Sequence, residues 1–256
     1  MKTAQIIVRH KFGHQRDWGS VFAEGLKCHG WTVNFSTEYS PANLIVMWGV
    51  RRQDVIARAK ADGCEVCILE RGYIADRFNW TSVSFGGGLN GRAEFRGPFE
   101  DASRWQRYFS DLMKPWDDRE GGPALIIGQV PGDMSLHGVN INSFYEFAKR
   151  AYEKLGIRTR FRPQPNVQKI RPLSDELNEA QFVVTWNSNA AVEAILAGVP
   201  AVGRDEGSMA WDVAGHSLSV PPKPNREAWA HALAWKQWGK AEMISGYCWE
   251  HVRGDL

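Results

Sequence analysis

Short apolar runs alternate along this chain with segments whose apolar positions recur at helical spacing. In the first half the runs predict strands at Ala4–Arg9, Thr32–Ser36, Leu44–Trp48, Glu65–Leu69 and Ser82–Phe85, with helices at Trp18–His29 and Arg52–Ala61. Gly30 and Gly63 stand where a left-handed residue would close each helix. The second half repeats the pattern. Strands are predicted at Ala124–Gly128, Ile157–Phe161, Phe182–Thr185 and Pro200–Gly203, and helices at Ser143–Leu155, Asp175–Ala180 and Ala190–Ala197. Asn225 caps a helix running to about Trp238, and a last helix covers about Ala241–His251. Such alternation implies parallel sheets with helices on their faces.

Between the halves, Ala102–Met113 has an amphipathic pattern, and Asp111–Pro123 gathers Pro, Gly and clustered charge, as a linker does. The expected organisation is a domain over 1–118, a second over 119–238, and a C-terminal helix over 239–256 that either stays with the second or crosses back to the first. The expected fold class is α/β, with two Rossmann-like domains facing across a cleft, the arrangement called GT-B. Ligands of such sheets gather outside the carboxyl ends of the strands.

Composition narrows the function classes. The 256 residues carry a net charge of +2, which permits a polyanionic partner without requiring one. No apolar run approaches the ~20 residues that span a bilayer. Met1–Val8 turns into a strand too soon for a signal peptide, so the expected location is the cytoplasm, without stable membrane association. Twelve tryptophans are many for this length. Trp18, Trp48, Trp80, Trp105, Trp116, Trp211 and Trp249 have polar neighbours in sequence, so they either fill cores or stack on sugars and bases. Cys64 and Cys67 have the spacing of half a zinc site, but there is no second such pair, and reduced structural thiols are expected.

Candidate chemistry collects after the second-half strands. Gly128–Leu136 follows the first of them, Arg162-Pro163-Gln164-Pro165 the next, Trp186–Asn189 the third and Gly203-Arg204-Asp205 the fourth. A helix opening at Ser188 and Asn189 offers backbone N–H groups to a phosphate, and Glu193, one turn in, is placed for ribose hydroxyls. The run Gly-Gln-Val-Pro-Gly-Asp-x-Ser-Leu at 128–136, then Arg-Pro-x-Pro at 162–165, then Asn-Ser-x-x-x-x-Glu-Ala-x-x-x-Gly-x-Pro at 187–200 resembles the nucleotide-sugar half of capsule-polysaccharide glycosyltransferases, the Kdo transferases among them. The resemblance covers about Leu125–Arg204. It implies a GT-B fold and a nucleotide-sugar donor, a UDP-sugar foremost, and no further cofactor. By position it implies donor contacts from Gln129, Asp133, Ser135, Arg162, Gln164, Ser188, Asn189, Glu193 and Arg204. Gln164 stands where those relatives commonly have His, and an amide hydrogen-bonds where an imidazole also exchanges a proton.

Sugar transfer to a hydroxyl needs a base for the acceptor proton and positive charge or N–H dipoles for the departing phosphate. Candidate bases after the first-half strands are Asp17, Glu70 and Asp76, with His14 behind them. The GT-B resemblance implies no bound metal, and the lack of an Asp-x-Asp motif agrees with it. Arg9, His10, Arg16, Trp18, Arg51 and Arg92 mix cations with aromatics, a combination suited to phosphate contacts and base stacking. A hydroxymethylated pyrimidine in phage-type DNA, flipped from the duplex, is therefore one expected acceptor. A capsule or surface glycan is the alternative, and a GT-B-like nucleotide-sugar epimerase or non-catalytic binder is a third reading. The glycine run Gly86–Gly88 is expected either to admit a ligand to the backbone or to pack as a tight loop.

Overall fold

The structure is a computed structural model that describes residues 1–8, 12–164 and 171–254. It is an α/β protein with two largely parallel sheets. The chain forms two compact units, one of Met1–Arg104 with His231–Leu256, the other of Trp105–Ala230. The expected boundary at 118 and the observed division after Arg104 differ because the intervening segment is bonded into the second unit. The N–H of Lys114 donates to the carbonyl of Leu196 at 2.9 Å and that of Asp117 to Gly198 at 2.8 Å. Likewise the second division falls at Ala230 rather than at 238, and the C-terminal segment belongs with the first unit.

In the first unit, β1 (Thr3–Ile7), β2 (Thr32–Ser36), β3 (Leu44–Trp48), β4 (Glu65–Arg71) and β5 (Trp80–Phe85) join β10 (Gln237–Gly239) in the order β10-β5-β4-β3-β1-β2. The pairs β1/β2, β1/β3 and β3/β4 are parallel, whereas β5 is antiparallel to both β4 and β10. Alternation along the strands divides two cores. Leu44, Val46, Cys67 and Leu69 face helix α1 (Gly13–Cys28) and the C-terminal helices α8 (Lys240–Ile244) and α9 (Tyr247–Val252). Ile45, Met47, Val66 and Ile68 face α2 (Gln53–Ala61). Helix α1 lies so close to α8 that a Cβ on Gly25 would stand 2.0 Å from the carbonyl oxygen of Met243.

Several elements depart from the sequence reading. Helix α1 begins at Gly13, so Asp17 lies within it rather than capping it, and Trp18 is 3% exposed in the core. The segment expected as a helix to Trp238 is α7 (Glu227–Ala234) followed by β10, whose register puts Trp238 opposite Thr81. The expected last helix is broken at Gly246 (φ 81°) into α8 and α9. The amphipathic stretch at 102–113 becomes α3 (Ser103–Tyr108) and a single 3-10 turn.

The second unit's sheet is β7 (Thr159–Arg162), β6 (Ala124–Ile127), β8 (Phe182–Thr185) and β9 (Ala201–Gly203), in the order β7-β6-β8-β9 and parallel throughout. Helix α4 (Ile141–Lys154) covers one face through Phe144, Ala148 and Tyr152. Helix α6 (Ala190–Leu196) packs on β8 and β9, and α5 (Leu173–Leu177) precedes β8. Seven of the twelve tryptophans are buried (Trp18, Trp31, Trp105, Trp229, Trp235, Trp238 and Trp249), which makes core filling their main role. Cys64 and Cys67 face the two different cores of the first sheet and are free thiols. No helix among the described residues is long and apolar enough to cross a membrane.

Arg104 is 3% exposed and holds the C-terminal segment in the first unit. Its guanidinium donates to the carbonyls of Ala234 at 3.1 Å and Gln237 at 2.7 Å, pairs with Glu242, and lies 4.2 Å over the Trp238 ring. Replacing one member of a buried pair leaves the other charge uncompensated, at a cost of about 3–5 kcal/mol. Arg104→Met should therefore lower the urea midpoint strongly with an unchanged slope, and adding Glu242→Gln should recover part of the loss.

Candidate functional site

The second sheet reverses its strand order at β6 and β8, with β7 on one side of β6 and β9 beyond β8. The crevice outside the carboxyl ends at such a reversal is where open parallel sheets bind ligands. Register places Ile127 beside Arg162, Val184 beside Ile126, and Thr185 beside Gly203, so the four strand ends form one row. Two residues beyond that row stand Gln129, Gln164, Asn187 and Asp205.

Asn187, 4% exposed, ties three of these loops together. Its side-chain carbonyl accepts from Gln129 Nε2 at 2.8 Å, and its Nδ2 donates to Ser135 O at 2.7 Å and Asp205 Oδ1 at 3.1 Å. Its backbone N–H donates back to Gln129 Oε1 at 3.2 Å. Asp205 Oδ1 also accepts from the N–H of Gly207 at 2.8 Å, and the Tyr145 hydroxyl accepts the N–H of Gln129. The result is a preorganised polar edge across β6, β8 and β9. Asn187, Asp205 and Tyr145 carry it, and none of them was among the expected contacts. The available signal was positional: amide or carboxylate side chains at one offset after each buried run.

The expected donor residues divide. Gln129 and Ser135 join the Asn187 network, Ser135 through its carbonyl. Asp133 is spent on its own turn, accepting from the N–H of Ser135 at 2.9 Å and its hydroxyl at 2.7 Å. Arg162 is 7% exposed and committed to Glu176 Oε2 at 2.7 Å and the carbonyl of Arg171 at 2.9 Å. It is a structural ion pair, because its strand position turns it into the sheet interior against α5. Gln164 is half-buried beside Gly128, and Pro165 lies outside the described residues.

The helix tip differs from expectation. The N–H of Ala190 donates to Ser188 Oγ at 3.3 Å, Ala191 to Ser188 O at 3.1 Å, and Val192 and Glu193 to Asn189 O at 2.9 and 3.2 Å. The tight first turn of α6 thus consumes the donors expected to seat a diphosphate. Glu193 is exposed and accepts from Asn189 Nδ2 at 3.4 Å. It borders a cavity of about 540 Å³ lined by Lys114, Arg119, Ser174 and Asn178, a size that takes a small ligand. Arg204 follows β9, bonded through its N–H to Trp186 O at 2.9 Å and through its guanidinium to His216 O.

In the first unit the order also reverses, at β1 and β3. His14, in the first turn of α1, meets the Trp48 ring edge-on at 5.0 Å at the end of β3. Burial and then the nearby Arg71 cation hold its imidazole below the ordinary histidine value, while Asp17, one turn on and exposed, pulls the other way. Glu70 is half-buried at the same edge, where its Oε1 accepts the N–H of Arg71 at 2.9 Å. Its Oε2 lies 3.2 Å from where a Cβ on Gly49 would stand. Asp76 serves its own turn, accepting from the N–H of Phe78 at 3.0 Å and Asn79 Nδ2 at 2.9 Å.

Among the described residues, the expected acceptor positions do not share one edge of the sheet. Arg9 and His10 lie outside the described residues, and Trp18 is core. Arg16 and Arg51 are exposed near the carboxyl edge. Arg92 follows β5, which runs antiparallel, so Arg92 and the Gly86–Gly88 loop fall at the opposite, amino edge, where Gly86 N bonds to Val66 O at 3.1 Å. The glycines pack as a tight loop: a Cβ on Gly88 would stand 2.2 Å from the carbonyl oxygen of Arg92. No cluster of three or more His, Cys, Asp or Glu side chains among the described residues is placed to hold a metal ion.

No family model matches the chain, and no curated protein matches it. Among solved structures, the chain is similar to the beta Kdo 2,7 transferase of Thermosulfurimonas dismutans KpsC, at 15% identity and a TM-score of 0.62, over 96% of this chain and 98% of that one. It is also similar to the beta Kdo 2,4 transferase of the same KpsC, at 14% identity and a TM-score of 0.56, over 90% of each. Likeness at this identity extends to the fold.

Removing the Asn187 amide takes a hydrogen bond from three partners in two loops, Gln129 and Ser135 in one and Asp205 in the other, at about 1–3 kcal/mol for each buried group left unsatisfied. Asn187→Ala should accordingly lower the melting temperature and increase amide exchange in 128–136 and 204–207, leaving the first unit's amides unchanged.

Proposed function

We propose that this protein is a GT-B-type glycosyltransferase that moves a sugar from a nucleotide-activated donor to a hydroxyl acceptor. The observation that carries the reading is the polar row of Gln129, Asn187 and Asp205, locked together at the strand-order reversal of the second sheet. The fold shared with two Kdo transferases over nearly the whole chain supports it by analogy. In this reading the donor lies along the row, with its phosphates toward Arg204 and its ribose toward Glu193.

The acceptor oxygen forms the new bond to the anomeric carbon. The bond from that carbon to the donor phosphate breaks, its electron pair leaves with the phosphate, and the acceptor proton passes to a base. Of the four candidates we take His14 first, at the carboxyl edge of the first sheet beside Trp48. Its depressed basicity keeps it neutral near pH 7, as a proton acceptor requires. Glu70 is the second candidate, and Asp76 is the weakest because its turn occupies both oxygens. With no Asp-x-Asp pair in the chain, charge on the departing phosphate is assigned to protein groups, Arg204 first.

A surface or capsule glycan is the acceptor we favour. The DNA reading rested on cations interleaved with aromatics, and among the described residues nothing supports that surface, since Trp18 is buried and Arg92 stands at the far edge. Incubation with UDP-, GDP- and CMP-sugars, with glycan and hydroxymethylated-DNA acceptors in parallel, separates the readings by mass. Mass gain on the glycan alone is expected. Conversion of a donor without any acceptor would identify an epimerase instead.

Two variants test the residue roles. Glu193→Ala should weaken donor binding about ten-fold by calorimetry, the scale of a lost hydrogen bond to a charged group. The acid limb of the pH–rate profile should lie below the ordinary histidine value, with activity falling as His14 gains its proton, and the limb should vanish in His14→Gln along with most of the turnover. The same depressed value makes neutral His14 favour the folded state. Its contribution to stability is present above the unfolded value and is lost as pH falls through the folded one.

A further inference from the structure

We propose that Phe161 and Tyr145 form the platform on which the nucleobase of the donor stacks, an inference that rests on reading this edge as a nucleotide-sugar site. Phe161 is 49% exposed although it belongs to a sheet strand. Register sets it beside Ile126, on the face covered by α4. Its ring nevertheless reaches the carboxyl edge, where its Cζ lies 3.1 Å from the place a Cβ on Gly128 would occupy. Tyr145 meets it at 5.0 Å between ring centroids with the planes inclined at 53°.

Solitary exposed aromatics are common and signify little. This pair differs because it is fixed to the polar row. The Tyr145 hydroxyl bonds both the N–H and the carbonyl of Gln129, whose side chain is bonded to Asn187. The edge therefore changes character along its length, aromatic at β7, amide-rich at β6 and β8, and at β9 carrying the Arg204 guanidinium, bonded to His216 O, with the Asp205 carboxylate held by Asn187 and Gly207. From β7 to β9 are three strand spacings, about 14 Å at the usual separation, the reach of an extended nucleoside diphosphate sugar. Such a molecule is flat and weakly polar at its base and carries its charge on the phosphates beyond the ribose. Only one orientation matches both, with the base on Phe161 and the phosphates toward Arg204.

A planar base on an aromatic face gains from dispersion and from the displacement of poorly held water, whichever pyrimidine it is. The ring should thus supply affinity without choosing the nucleotide, leaving choice to hydrogen bonds at the base edge.

Calorimetric titration of wild type, Phe161→Ala and Phe161→Trp with UDP, CMP and GDP tests this, alongside thermal unfolding of each. Phe161→Ala is expected to bind whichever nucleotide the wild type binds about ten-fold more weakly, with little change in melting temperature, and Phe161→Trp to restore that affinity. Unchanged affinity in Phe161→Ala overturns the platform. So does an equal loss in both variants, because a need for that one side chain rather than for a flat ring indicates packing. If the wild type itself binds none of UDP, CMP and GDP, the donor reading fails and the platform with it.

Discussion

One buried guanidinium holds the first unit together. Arg104 enters a tryptophan-lined interior, where an unpaired charge would be costly, and is accommodated because each side of its planar fork meets an acceptor or a ring. The acceptors belong to the returning C-terminal segment. Fixing Ala234, Gln237 and Glu242 on one cation sets the position of β10 and, through the Glu242 bond to the N–H of Gly239, the start of α8. Helices α8 and α9 then complete the core over α1, including the edge-on contacts of Trp249 with Phe22 and Trp31. The layer behind the His14 edge is thus set by residues more than a hundred positions away from it.

The second unit uses the same economy with a neutral group. Asn187 has one acceptor and two donors on its side chain, and all are engaged by groups from other loops. An amide can join three loops in this way without the desolvation cost of a charge. Arg162 and Glu176 form the charged counterpart, bracing α5 against the sheet. The cations Arg162 and Arg204 near the strand ends are both held by the protein, Arg162 by Glu176 and the Arg171 carbonyl, Arg204 by the His216 carbonyl.

Much of the fold was legible because buried parallel strands leave continuous apolar runs. The runs at 44–48 and 182–185 coincide with β3 and β8, while the alternating, mostly exposed 32–36 is the edge strand β2. Strand direction was less legible. Nothing in Ser82–Phe85 marks it as antiparallel, so the sequence does not show that the Gly86–Gly88 loop and Arg92 fall at the amino edge. Strand β10 was hidden inside a helical pattern, since Trp235 and Trp238 satisfy helical spacing as well as they satisfy a sheet contact. At the site, the motif resemblance pointed to Gln129, whereas the bonding of Asn187, Asp205 and Arg162 depended on partners far away in sequence. Asp133 and Asp76 show the converse, since carboxylates in loops are often satisfied by their own turns.

The division of the thiols between the two cores carries a practical consequence. Cys67 and Cys248 are wholly enclosed, and burial raises both far from the thiolate form, while Cys28 is exposed and Cys64 half-exposed. Alkylating reagents attack thiolates, so in the native protein they are confined to the accessible pair. Labelling at the hidden pair then requires the sheet to part from its C-terminal cover, which makes these sulfurs built-in reporters of when that cover lifts.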